Sequence, residues 1–192
     1  MREVILTVGP RGCGKSSFCQ RAVVLDPSVV LISRDELLIK LFGKTSLSPY
    51  TGDHEYVYEQ MWKMVEEKLE STSKLRMILD TWNGTSDERY CIIRMLRFLG
   101  VDQIKAWYFV TPAENVCEWF WKKPDVAKIS EMSTRQGEDL SFYSEDAPLR
   151  DHALFHKLAA DIDSDGFDGV IKVNPLITQP EQILGLQTSL ET

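Results

Sequence analysis

The sequence predicts an α/β fold: one domain on a parallel sheet of about five strands, with helices on both faces and an insertion late in the chain. Three observations predict it. Strand-like runs alternate with helix-like runs, as in successive βαβ units. The strand-like runs are short and almost wholly apolar, which suits strands covered on both faces. Segments with capping-box spacing follow strand-like runs at Ser33–Glu36, Thr85–Glu88, Thr111–Glu114 and Thr178–Glu181. Each offers a hydroxyl and a carboxylate that can satisfy two otherwise orphaned backbone donors.

Glu3–Val8 reads as the first strand, followed by a glycine-rich turn and a helix to about Leu25. Val29–Ile32 is the second strand. Val57, Met61, Met64, Val65 and Leu69 recur near helical spacing, so 54–71 is a helix. Arg76–Leu79 is a third strand leading to Asp80, Ile104–Val110 a fourth, Val170–Val173 a fifth, and Pro180–Leu186 a closing helix. Residues 124–150 are polar and lack clear periodicity. With Lys122 and Lys123 they are expected to form a lid or acceptor-binding insertion, 122–150, in a single domain over 1–192.

With 192 residues, 43% hydrophobic and 27% charged, the chain can bury a core without disulfides or metals. No apolar run reaches membrane-spanning length, and the N-terminus lacks a signal-peptide pattern. The four cysteines form no C-x-x-C pair and no Cys/His set has zinc spacing, so reduced thiols in a cytoplasmic protein are expected. The net charge is −7. Residues 138–168 carry nine acids against Arg150 and Lys157, whereas residues 1–44 are net positive. That balance disfavours a nucleic-acid binder overall but leaves room for a local basic groove.

Gly9-Pro10-Arg11-Gly12-Cys13-Gly14-Lys15-Ser16 matches G-x-x-x-x-G-K-[ST], after a predicted strand and opening a helix. Such a loop turns backbone N–H groups onto phosphates, and the helix N-terminus adds positive potential. Lys15 is expected to reach the β- and γ-phosphates and the Ser16 hydroxyl to ligate Mg²⁺, with Ser17 next in line. The chain is thus expected to bind ATP or another nucleoside triphosphate with Mg²⁺. Asp35 follows the second strand, at the sheet edge where ligands bind. It could take the proton of an attacking hydroxyl, or serve the helix N-terminus. Arg34 could hold an acceptor phosphate or pair with an acid. Asp80 ends the third strand as a Walker B acid does, holding Mg²⁺, or caps a turn.

The segments GPRGCGKSS, SRDELL and LDTWNGTSDER together resemble the P-loop kinase family of bacteriophage polynucleotide kinases and related phage DNA and nucleotide kinases. The resemblance runs over residues 3–123 and returns at 166–173. It implies transfer of a γ-phosphate to a hydroxyl, typically the 5′-hydroxyl of a nucleic acid. It further implies that Asp35 is the general base, that Arg34 lies by the acceptor, and that Lys15 and Ser16 hold nucleotide and Mg²⁺. Where that family carries an arginine-bearing lid, this chain has Trp119-Phe120-Trp121-Lys122-Lys123 and, further on, Arg135. The asparagine expected after Asp-Thr is displaced to Asn83 by Trp82. A relative acting on a hydroxymethylpyrimidine in DNA would share the same core.

Other signals are weaker. Asp161, Asp163, Asp165 and Gly166 imitate a calcium loop, but its twelfth position is Lys172, so an acidic turn is expected. His152 and His156 share a helix face without HExxH and are expected to be solvated. Trp119, Phe120 and Trp121 could stack bases or pack a core. The leading expectation is an ATP–Mg²⁺ phosphotransferase acting on a nucleic-acid or nucleotide hydroxyl. A small-molecule or free-nucleoside kinase is the alternative, and a nucleotide-hydrolysing switch the third reading.

Overall fold

A computed structural model describes residues 1–43, 53–138 and 140–186. In chain order it contains β1 (Arg2–Val8), α1 (Lys15–Leu25), β2 (Val29–Ser33), α2 (Arg34–Phe42), α3 (Asp53–Ser71), β3 (Leu75–Asp80) and α4 (Ser86–Phe98). Then come β4 (Gln103–Phe109), α5 (Ala113–Trp121), β5 (Val126–Lys128), β6 (Ser141–Tyr143), α6 (Ala147–Leu158), β7 (Gly169–Val173) and α7 (Pro180–Leu184). The main sheet is parallel throughout, in the order β2-β3-β1-β4-β7. The five expected strands are present, each within one or two residues of its expected ends.

The near-continuous apolar runs follow from burial on both faces. In β1, Val4, Leu6 and Val8 point into one core with Leu38 of α2, Met61 and Val65 of α3, and Leu96 of α4. Ile5 points into the other, with Phe18 of α1, Val116 of α5 and Leu184 of α7. The strands alternate between these two cores, so most of their positions are apolar, and the buried Glu3 is paired with Arg76 and Lys105. The central strand β1 therefore delivers the following loop to the middle of the C-terminal edge.

Capping chemistry holds in part. Thr85 and Glu88 form the full reciprocal box at α4. Ser33 accepts from the Glu36 amide at α2. At α5 the expected box is absent: Pro112 takes the N-cap position, and the Thr111 hydroxyl donates across the molecule to the Cys13 carbonyl. At α7 the box moves by one residue, to Gln179 and Gln182, while Thr178 accepts from the Asn174 amide.

The expected insertion contains a small parallel pair, β5 with β6, which the polar sequence did not announce. It also contains the start of α6. Among the described residues no helix is long and apolar enough to cross a membrane, and no group of three His, Cys, Asp or Glu is placed to hold a metal ion.

Candidate functional site

A cavity of about 280 Å³ opens at the C-terminal edge of the sheet. Its walls include the loop after β1, Asp35 at the start of α2, Asp80 at the end of β3, and Lys123 just beyond α5. The loop needs glycine at Gly12 and Gly14, where φ is +85° and +90°. Space is tight there as well. A Cβ on Gly12 would lie 3.1 Å from the Val116 carbonyl oxygen, and one on Gly14 would lie 3.0 Å from the Trp119 ring. α1 begins at Lys15 with no side-chain cap. The Lys15 ammonium bends back onto the Gly9 and Pro10 carbonyls at 2.7 and 3.0 Å. The Thr111 hydroxyl ties the loop to the end of β4 by its 2.7 Å bond to the Cys13 carbonyl.

The floor is a network of short polar contacts. Asp80 accepts from the Thr7 hydroxyl at 2.6 Å and from the Ser16 hydroxyl at 3.2 Å, one on each carboxylate oxygen. Asn83, buried, donates to the Thr7 and Thr81 carbonyls, so its displacement by Trp82 still ties β1 to β3. Thr81 is buried on the cavity wall, and its hydroxyl has no hydrogen-bond partner among the described residues.

Four cations surround this floor. Arg11 and Lys15 come from the loop, Arg34 from α2 and Lys123 from the insertion. Arg34 donates to His54 Nδ1 at 2.8 Å, lies 3.5 Å from the half-exposed Asp35 carboxylate, and covers the Tyr58 ring. Burial pushes the Lys123 ammonium below its ordinary value; Arg11 and Lys15 push it the same way, and Asp35 and Asp125 oppose them. Crowded, half-desolvated cations above a paired carboxylate suit a polyphosphate accompanied by a divalent ion.

The structure thus brings Gly9, Arg11, Gly12, Gly14, Lys15, Ser16, Ser17, Arg34, Asp35, Asp80 and Lys123 to one cavity. It takes others elsewhere. The Cys13 side chain is buried in the core beneath the loop, and burial raises its thiol pKa. Lys122 is exposed and paired with Glu118. Arg135 is held between Glu131 and Glu138. Of the three aromatics at the end of α5, Trp119 reaches the cavity wall, while Phe120 is buried and packs against Trp121 and Tyr143.

Several partners escaped the sequence reading. Thr7 and Thr111 steady the floor and the loop, and nothing in their local sequence marks them. Tyr143 of β6 hydrogen-bonds Arg11 and lies beneath its guanidinium. Arg89 is buried with Asp165 at 2.5 Å and also donates to the Asn83, Gly84 and Leu158 carbonyls. A signal existed: Arg89 shares the apolar face of α4 with Ile92, Ile93 and Leu96. The acidic turn is thus a short 3₁₀ segment, Ile162–Ser164, followed by a paired, buried Asp165. The histidines are half-buried rather than solvated. His152 donates to the Thr111 carbonyl, and His156 Nδ1 meets the Tyr108 hydroxyl.

A family model described as AAA domain matches residues 4–145. Comparison with curated proteins gives no match. Among solved structures, a Chloroflexus aurantiacus j-10-fl protein provisionally described as a kinase aligns with TM-score 0.64 at 11% identity, covering 96% of this chain and 95% of that one. Shikimate kinase from Bacteroides thetaiotaomicron gives 0.57 at 14%, covering 97% and 100%. A chain of the Pnkp1/Rnl/Hen1 RNA repair complex gives 0.54 at 18%, over 83% of this chain. This chain spans 46% of that one's length. At such identities the likeness is one of fold.

Proposed function

Because this chain belongs to the AAA domain family, whose model spans residues 4–145, we propose that it is a phosphotransferase. It moves the γ-phosphate of ATP, or of another nucleoside triphosphate, to a hydroxyl of a nucleic acid or nucleotide. The observation that carries this reading is one cavity holding both a phosphate cradle and, beside it, a half-exposed carboxylate that among the described residues meets only the Arg34 guanidinium, at 3.5 Å. A hydrolase needs the cradle and a water-positioning group, but no acceptor base.

The residues fit a Mg²⁺-nucleotide. Ser16 and Asp80 present adjacent hard oxygen donors on the cavity floor. Ser16 and Asp80 would hold Mg²⁺, which would supply neutralisation of charge on the phosphates. Lys15 exchanges the Gly9 and Pro10 carbonyls for phosphate oxygens. Arg11 and Lys123 meet charge on the same group, and Arg34 orients the acceptor. Asp35 takes the acceptor hydroxyl proton as that oxygen bonds to the γ-phosphorus; the bond to the β-phosphate bridging oxygen breaks, and the nucleoside diphosphate leaves with the electron pair. Residues 122–150 act as the lid of a single domain, tied to the loop through Tyr143 and Arg11.

A specific observation favours the small-molecule or free-nucleoside reading. Lys122 and Arg135, the outlying cations that a polymer's phosphates would need, are paired outside the cavity. The test is phosphate transfer from labelled ATP to 5′-hydroxyl DNA and RNA, hydroxymethylpyrimidine DNA, free nucleosides and water, with wild type and Asp35→Asn. Transfer to a hydroxyl acceptor, lowered ~10²–10⁴-fold by Asp35→Asn with ATP binding retained, is expected. Hydrolysis without transfer would overturn the reading.

A further inference from the structure

Next to the phosphate cavity lies a second one of about 410 Å³, within the range of small-ligand sites. The two share Arg11, Arg34 and Trp82 as a common wall. The rest of the second cavity is largely apolar, with Leu154, Phe155 and Leu158 from α6 and Tyr58 from α3, plus the carboxylate of Asp151.

Trp82 is the residue that departs from the resembled motif, and it is 49% exposed. Its ring is nevertheless held in place. It stands edge-to-face on buried Phe155, with centroids 5.8 Å apart at 80°. It also lies against Gly84, where a Cβ would come within 2.7 Å of the indole. An exposed, fixed aromatic at the mouth of an apolar cavity is a stacking surface for a planar group. Tyr58 is less available, since the Arg34 guanidinium already covers it. Arg34 also carries a donor, Nε, that is out of water and has no hydrogen-bond partner among the described residues. Two guanidinium groups against one carboxylate leave the cavity walls with a single positive charge in excess.

Resting on the phosphotransferase reading above, we infer that the acceptor is one nucleotide-sized molecule, a planar ring with a hydroxyl and a single anionic group. The ring stacks on Trp82, the anion meets Arg34, and the hydroxyl reaches Asp35 across the shared wall. A polymer gains little over a single nucleotide, because among the described residues no cations line the two cavities beyond those already counted.

The test is calorimetric binding without ATP, at one ionic strength. The probes are thymidine 3′-monophosphate, thymidine, glycerol phosphate and an octathymidylate with a free 5′-hydroxyl. Thymidine 3′-monophosphate should bind. Thymidine, lacking the anion, and glycerol phosphate, lacking the ring, should each bind at least tenfold more weakly. The octamer should bind within about threefold of the monophosphate. Trp82→Ala should weaken the monophosphate about tenfold or more, the usual loss of one base–aromatic stack. Trp82→Phe should keep most of the affinity. Gly84→Ala, which displaces the indole without touching the ligand, should weaken it in the same direction and covers the case in which Trp82→Ala fails to fold. Affinity that climbs steeply with oligonucleotide length, or is unchanged in both Trp82→Ala and Gly84→Ala, overturns the inference. Binding as expected with no transfer from labelled ATP overturns the phosphotransferase reading alone and leaves the ligand site standing.

Discussion

Replacing Arg89 with methionine would remove a buried side chain that joins the Trp82–Gly84 turn to the end of α6 and to the segment before β7. Arg89 and Asp165 are almost fully buried, at 1% and 3% side-chain exposure, and 2.5 Å apart. Methionine fills much of the space but leaves the Asp165 carboxylate buried, with the Ser86 hydroxyl as its remaining hydrogen-bond partner among the described residues. Breaking one partner of a buried pair costs about 3–5 kcal/mol. The Asn83, Gly84 and Leu158 carbonyls also lose a donor, which places the expected loss at the upper end of that range. For a domain of this size, that corresponds to a fall in Tm of roughly 10–20 °C. Urea unfolding of Arg89→Met, Asp165→Leu and the double variant measures it. The double variant should recover much of the loss, because an apolar pair of similar volume no longer strands a charge. A single-variant loss below about 1 kcal/mol, or a double variant as unstable as the sum of the singles, would refute the reasoning.

Lys15→Ala should lower phosphate transfer from labelled ATP by ~10²-fold or more, as for loss of a donor to transition-state charge; turnover within tenfold of wild type would sink the loop's assigned role. Lys123→Ala should weaken nucleotide binding while Lys122→Ala, an exposed pair with Glu118, should leave it within about twofold; equal effects of the two would contradict the geometry. Burial, then the neighbouring His152, holds His156 below the ordinary histidine value. The unfolded chain therefore takes up that proton first, and this contribution to stability is complete above about pH 6.5 and declines as the pH falls below it. Unfolding free energies from pH 7.5 to 5 should decline less steeply in His156→Gln than in wild type, and parallel curves would exclude the histidine as the cause.

Much of the fold was legible in the sequence because it rests on local rules. Strands covered on both faces must be apolar at successive positions, and β1 and β3 are. The glycine-rich loop is contiguous, so its residue types announce its geometry. Asp35 and Asp80 could be placed at one edge because parallel strands end together there, and Ser33 does pair with Asp80 in register. The β5–β6 pair was not legible, since three-residue strands carry too few side chains to show a period.

The site's supports depend on contacts between residues far apart in the chain. Thr111 meets Cys13 across 98 positions, Arg89 meets Asp165 across 76, and Tyr143 meets Arg11 across 132. No spacing rule encodes such pairs, because only the packing of α5, α6 and the insertion against the sheet brings them together. The adjacent lysines make the same point. By sequence Lys122 and Lys123 are one cationic patch. In the structure α5 ends at Trp121 with Lys122 as its C-cap, so Lys122 faces solvent with Glu118 while Lys123, one residue further, is drawn into the cavity beside Arg11. The conformation of the glycine-rich loop and the placement of Asp35 and Asp80 at one sheet edge were thus determined by the sequence alone, through local geometry and the common edge of a parallel sheet. Which cations surround the cavity, and that Trp82 walls a second one, was decided by tertiary packing, because a side chain's direction beyond a helix end or a tight turn is set by what it packs against.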